Sequence, residues 1–279
     1  MVLCRDTRLA SALGMTLALS LQVAGCRPRE SSSLDVANPT SSRLPEDCGA
    51  KNTQPLYRIM KAEERQHLCS GIFIAPNLLV TAAHCLLDLE RLEIRRSFHW
   101  TRRSQTWHMH PSFDAEKIRN NTGSRFDVGV VDFSDGSGDV HYASWIVPAH
   151  FDGVKVGQQI AFAGYGPSTL AELQAAEEGR YDISRADLSS GANTVTNVGL
   201  GKDDPTIVTT GGAEEGSFTY KGDSGGPMFA HDSKGKCGVA GVVSRGNFEI
   251  SLFTSFADPE IASWLKGFIE AAHKKHPRS

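Results

Sequence analysis

Gly222-Asp223-Ser224-Gly225-Gly226-Pro227 packs three glycines and a proline around one acid and one hydroxyl. Glycines permit backbone angles that other residues resist. Such a loop can turn tightly, push a serine side chain outward and aim several N–H groups at one point. A serine nucleophile with an oxyanion-binding site needs that geometry; an ordinary Gly-rich turn does not. Two further segments offer partners. Thr81-Ala82-Ala83-His84-Cys85 ends an apolar run from Ile72 to Val80. Phe126-Asp127-Val128-Gly129-Val130-Val131 sets one acid in an apolar stretch, where burial is costly unless a donor or cation satisfies it. Taken singly, His84 reads equally as a metal ligand or a packed histidine. Taken together, His84 can accept the Ser224 proton and Asp127 can orient the ring and steady its charge.

The order His84, Asp127, Ser224 and their spacing resemble the chymotrypsin/trypsin family of serine endopeptidases. Other landmarks fall in sequence. His110-Pro111-Ser112-Phe113 resembles the segment before the aspartate strand. Ala163-Gly164-Tyr165-Gly166 resembles the Gly-Trp-Gly turn between two barrels. Val242-Val243-Ser244-Arg245-Gly246 resembles the strand that binds substrate backbone, and Ile261 to Ile269 resembles a closing helix. The likeness covers roughly residues 55–270. It implies an all-β fold of two six-stranded antiparallel barrels with a C-terminal helix and the active site between the barrels. It also implies hydrolysis of peptide or protein substrates through an acyl-enzyme at Ser224, with no cofactor. The N–H groups of Gly222 and Ser224 would then form the oxyanion hole.

Specificity follows from the same resemblance. Phe218 falls where trypsin-like members carry the aspartate at the pocket base, with Thr219, Ser244, Gly246 and Ser251 around it. A phenyl ring cannot pair with lysine or arginine. The expected preference is for small or medium apolar residues, unless Glu214 or Glu215 swings in and restores a basic one. The acid matching Asp223 pairs in the family with a new N-terminal ammonium released by cleavage. No Ile-Val-Gly-Gly segment stands at the expected place here, so a lysine, an arginine or backbone donors are the candidates for Asp223.

These residues must be positioned by the chain around them. Tyr57–Lys61 and His67–Ala75 read as a hairpin. Short strand-like runs follow at 126–133, 159–163, 194–198, 206–209, 227–230 and 237–244, bounded by Gly, Asp, Asn or Pro. Ala171–Glu178 has helical composition. Ile261–Ala272 carries apolar residues at the spacing of one helical face. Cys4 and Cys26 lie near the N-terminus; Cys48, Cys69, Cys85 and Cys237 remain, an even number. The family likeness implies a Cys69–Cys85 bridge beside the histidine, and Cys48–Cys237 is then expected as the second. The family's bridge beside the serine is missing because Tyr220 occupies its place, which predicts looser pocket walls.

Residues 1–25 read as an export signal. Arg5 and Arg8 precede a largely apolar stretch, too short for the ~20 residues that span a bilayer. It ends in Val23-Ala24-Gly25-Cys26, which resembles a bacterial lipobox. Cys26 would then carry lipid, and Arg27 after it points to the outer membrane of a two-membrane cell. Residues 26–47, rich in Pro and Ser, read as a flexible tether, and 48–279 as one protease domain. The expected site of action is therefore the cell envelope, as a lipid-anchored monomer. The net charge of −3 gives no electrostatic case for nucleic acid. His108 and His110 alternate on a strand but lack an evident third ligand, so no metal site is expected. Arg95, Arg96, Arg102 and Arg103 read as a solvated loop, or less readily as a site for an acidic partner. Two other classes compete. A non-catalytic peptide- or protein-binding module on the same scaffold usually lacks a triad member. An α/β-hydrolase esterase has the order Ser, Asp, His.

Overall fold

Near-continuous apolar burial builds the first strands. Leu56, Ile59 and Met60 of β1 (Leu56–Lys61) are fully enclosed. The strand pairs antiparallel with β2 (Gln66–Ala75), setting Leu56 against Ile72 and Ile59 against Cys69. Pro76-Asn77 turns the chain into β3 (Leu78–Thr81), and Asn77 supplies the positive φ of 55°. The structure is a computed structural model. It describes residues 53–61, 66–97, 100–104, 106–120, 125–133, 143, 153–182, 186–199, 207–212 and 216–276. The chain divides into two units, Met1–Ser32 and Ser33–Ser279, and every described residue belongs to the second. The expected signal, Cys26, the tether, Cys48 and Glu214-Glu215 lie outside the described residues.

The remaining strands are β4 (Leu92–Ser97), β5 (Trp100–Ser104), β6 (Trp107–Met109), β7 (Gly129–Asp132), β8 (Gln159–Gly164), β9 (Ser189–Val198), β10 (Ile207–Gly211), β11 (Pro227–His231), β12 (Cys237–Gly246) and β13 (Ile250–Ser255). All strand pairs are antiparallel. The N-terminal sheet runs β5-β4-β1-β2-β3-β7-β6, and the C-terminal six strands close as β10-β13-β12-β11-β8-β9. The expected two-barrel fold with a closing helix is the observed one; among the described residues the first half carries seven strands rather than six. Helix α1 (Ala115–Arg119) is capped by Asp114, and α2 (Leu170–Glu177) by a reciprocal Thr169/Glu172 box. Helix α3 (Pro259–Lys275) starts at the Asp258 cap and ends in His273, Lys274 and Lys275, matching the helix dipole at both ends.

One core fills each half, around Phe73, Leu79 and Phe133 in the first and Phe162, Val243 and Phe253 in the second. A third core forms the seam. It joins Leu56, Ile72 and Val80 of one half to Phe229, Val239 and Val242 of the other, and α3 closes it with Ile261, Leu265 and Ile269. That helical face is the one the apolar spacing marks.

Two expectations change. The arginine cluster is not a loop: Arg95 lies on β4 and Arg102 and Arg103 on β5. Buried Glu93 accepts from Arg95 Nε at 2.5 Å and Arg103 Nε at 3.0 Å, while Arg102 Nη1 donates to Asn77 Oδ1 at 2.9 Å. A strand pair with arginines opposite an acid hides its apolar alternation from composition alone. The run 126–133 also becomes strand only at Gly129. Before it, Val128 N donates to Phe126 O at 2.8 Å, a three-residue turn with Asp127 at its centre.

Candidate active site

β3 delivers His84. After Thr81 the chain tightens into a single 3₁₀ turn, Ala83–Leu86, and the Cys69–Cys85 disulfide pins that turn to β2 across a Cα separation of 6.0 Å. The turn around Asp127 presents its carboxylate from the other side. Asp127 Oδ1 accepts His84 N at 2.9 Å, and Oδ2 meets His84 Nδ1 at 2.8 Å. Oδ2 also accepts Ser244 Oγ at 2.6 Å. Asp127 has no exposed surface, whereas the His84 side chain is 21% exposed. The acid is thus enclosed and the ring keeps one edge toward solvent.

The electrostatics follow from this chain of bonds. Burial pushes the Asp127 pKa up, but the His84 charge and the hydrogen bonds from His84 and Ser244 outweigh it and hold the carboxyl below its ordinary value. For His84, burial works downward, yet the Asp127 charge and hydrogen bond raise it above the ordinary imidazole value, with Arg245 opposing.

Ser224 sits in a loop whose glycines are all used. Gly222 has φ 102° and Gly225 φ 78°. A Cβ at Gly225 would fall on Thr81 Oγ1 and Ser70 O, so the loop presses directly onto β2 and β3. Ser70 N donates to Ser224 O at 2.7 Å and Ser70 Oγ to Gly222 O at 2.8 Å. Asp223 N, Gly225 N and Gly226 N all find backbone acceptors. The N–H groups of Gly222 and Ser224 find none among the described residues. Two orphan donors flanking one serine hydroxyl are what a developing oxyanion requires. The hydroxyl itself faces Ser244 O at 3.5 Å, and among the described residues no hydrogen bond joins it to His84 Nε2.

Asp223 is satisfied by backbone alone. Oδ1 accepts Gly166 N at 2.8 Å and Oδ2 accepts Tyr220 N at 2.9 Å; among the described residues no cation pairs with it. Burial pushes its pKa up to about 6, against the pull of those two N–H groups. The Gly164-Tyr165-Gly166 turn is glycine-bounded because a Cβ at either glycine would collide with the Asp223 carboxylate.

The expected pocket residues come together, but not as loose walls. Phe218 is 1% exposed and packs on Leu173 of α2 and on Phe248, with ring centroids 5.3 Å apart. Thr219 N donates to Ser251 Oγ at 2.8 Å, and Thr219 Oγ1 to Arg245 O at 3.4 Å. A Cβ at Gly246 would overlap Thr219 Oγ1 and O. The two walls therefore touch. Tyr220 braces them by packing on Phe248 and donating its hydroxyl to Glu177 Oε1 at 3.2 Å. Aromatic packing stands where the expectation of slack rested on a missing bridge.

Cys237 is disulfide-bonded, while its expected partner Cys48 is outside the described residues. His110 stacks flat on Phe126 at 4.6 Å and His108 packs on Phe268 at 5.0 Å, so the two alternate histidines serve aromatic packing. Sequence reasoning passed over two residues. Ser70 ties Gly222 to the turn by also accepting Tyr165 N at 3.1 Å, and nothing local marks it. Arg245 stands in a strand already singled out, and its charge was the available signal.

Residues 49–259 match the Trypsin family. Mannan-binding lectin serine protease 1 of Mus musculus is 26% identical over 231 residues, covering 70% of this chain and 30% of that protein. The Rattus norvegicus form is 26% identical over 224 residues with the same coverage. Kallikrein 1-related peptidase b3 of Mus musculus is 24% identical over 214 residues, covering 70% of this chain and 78% of that protein. The chain thus spans under a third of the length of the two mannan-binding lectin serine proteases.

Proposed function

Because the chain belongs to the trypsin family, we propose that it is a working serine endopeptidase that forms an acyl-enzyme at Ser224. One observation carries the reading. A buried Asp127 holds Nδ1 of a part-exposed His84 at 2.8 Å and accepts Ser244 Oγ at 2.6 Å, while Ser244 O faces the Ser224 hydroxyl, and the N–H groups of Gly222 and Ser224 find no backbone acceptor among the described residues. In this reading the Ser224 hydroxyl leaves Ser244 O and gives its proton to His84 Nε2 as Oγ attacks the scissile carbonyl. The Gly222 and Ser224 N–H groups take the oxyanion. His84 then protonates the leaving amine, and water repeats the sequence to release the acid. Asp127 stays ionised throughout because its donors favour the charged form. Contact between Gly246 and Thr219 supports cleavage after small residues rather than after lysine or arginine.

The chain acts on peptides or proteins outside the cytoplasm, held to the cell envelope by lipid on Cys26. A flexible coil of about twenty residues would let the domain range on the order of 25 Å from its anchor. The motif Val23-Ala24-Gly25-Cys26 supports this.

A fluorophosphonate probe tests the chemistry. It should label the wild type at Ser224 and leave Ser224→Ala unlabelled and inactive but folded. Full turnover by Ser224→Ala would end the serine-peptidase reading. Cys26→Ser should release the protein from membranes, and unlipidated wild-type protein in the medium would count against the anchor.

A further inference from the structure

We propose that Ser70 is a positioning residue for the oxyanion-binding loop, its hydroxyl keeping the Gly222 and Ser224 N–H groups aimed at one point. The proposal rests on the peptidase reading above. Ser70 lies on β2, in the other half of the fold, 152 residues before Gly222, and has no exposed surface. Its N–H donates to Ser224 O at 2.7 Å, and its hydroxyl donates to Gly222 O at 2.8 Å. The hydroxyl also accepts Tyr165 N at 3.1 Å, while the next amide, Gly166 N, holds Asp223 Oδ1 at 2.8 Å. Two consecutive amides thus secure two consecutive loop residues, one of them through Ser70.

The peptide joining Gly222 to Asp223 lies between the two peptides that carry the Gly222 and Ser224 N–H groups. Peptides are rigid planes, so the angle between those donors depends on the torsions at Gly222 and Asp223. The middle plane is held at both ends. Asp223 N donates to Tyr220 O at 3.0 Å, and Gly222 O accepts Ser70 Oγ. Among the described residues Gly222 O accepts no other hydrogen bond. Gly222 has φ 102° and no Cβ, so its own backbone resists turning only weakly. Removing the Ser70 hydroxyl frees the carbonyl end of the middle plane, leaves Tyr165 N without its acceptor and lets the two donors diverge. Those donors act on charge that develops in the transition state, so the loss falls on kcat rather than on substrate binding.

Ser70→Ala is compared with the wild type on acetyl-Ala-Ala-Ala p-nitroanilide. kcat should fall at least about tenfold, short of the ~10²–10³ for losing an oxyanion donor outright, with KM held within about twofold. Ser70→Thr keeps the hydroxyl and Ser70→Val lacks it at equal bulk. Their kcat values should differ by about tenfold in the same sense, which covers a failure of Ser70→Ala to fold. Amide hydrogen exchange reads the loop without turnover. Asp223 and Gly226 should exchange at least about tenfold faster in Ser70→Ala, with the amides of β9 and β10 at the wild-type rate. A wild type that cleaves nothing but shows this Ser70-dependent exchange would keep the positioning role and sink the hydrolase. In an active enzyme, the role is overturned by an unchanged kcat, by faster exchange spread equally over the loop and β9–β10, or by equal kcat for Ser70→Thr and Ser70→Val. In an inactive one, loop exchange indifferent to Ser70 overturns it.

Discussion

Replacing Asp223 with Asn should flatten the pH dependence of stability. Asp223 is 5% exposed and, among the described residues, receives two backbone N–H groups, at 2.8 and 2.9 Å. Burial is the larger effect and pushes its pKa from 3.8 to about 6. A displacement of about two units at 1.36 kcal/mol each amounts to roughly 3 kcal/mol. The sign follows from proton counts. Between the unfolded and folded pKa the native state holds the proton that the unfolded state has lost, so stability falls as pH rises. The contribution is complete below about pH 4 and gone above about pH 6. Asn places an amide donor against one of the two N–H groups, which costs about 1–3 kcal/mol at every pH. That offset does not touch the slope. Urea unfolding of both proteins from about pH 4 to about pH 7 separates the two effects. Wild type should lose about 3 kcal/mol more than Asp223→Asn across this window. Parallel profiles would show that a cation compensates the carboxylate, and the account of Asp223 held by backbone alone would be wrong.

The acidic limb of kcat/KM should have its midpoint above the ordinary imidazole value, because Asp127 raises the His84 pKa and only the neutral ring accepts the Ser224 proton. Asp127→Asn should move the midpoint down, since burial then acts without its counterweight, and should cut the rate on the order of 10⁴-fold, as in the family's general case; a pH–rate profile reads both. Exchanging Cys69 and Cys85 for alanine opens a loop of separation 16 and should cost about 3 kcal/mol, read as a lower urea midpoint under non-reducing conditions. Gly225→Ala should cost more than ~3 kcal/mol or abolish soluble expression, because alanine resists φ 78° and its methyl has no space between Thr81 and Ser70.

The residues with candidate chemistry were legible because each announces itself locally. A glycine-flanked serine, a histidine closing an apolar strand and an acid inside an apolar run violate the ordinary pattern over a few residues, and burial penalises each until the others answer it. The α3 face was legible for the same reason, since its period of burial is contained in one segment. Where charge overwrote alternation, as along β4 and β5, the pattern failed and the strands emerged only from pairing. The structure alone decided what answers Asp223 and how closely the pocket walls approach. Gly166 stands 57 residues before Asp223, and Thr219 meets Arg245 across 26. Such partners have no sequence period that could reveal them. Their distances depend on how two sheets close and on which backbone groups remain unspent once the ladders have formed, and only the packed chain settles those terms.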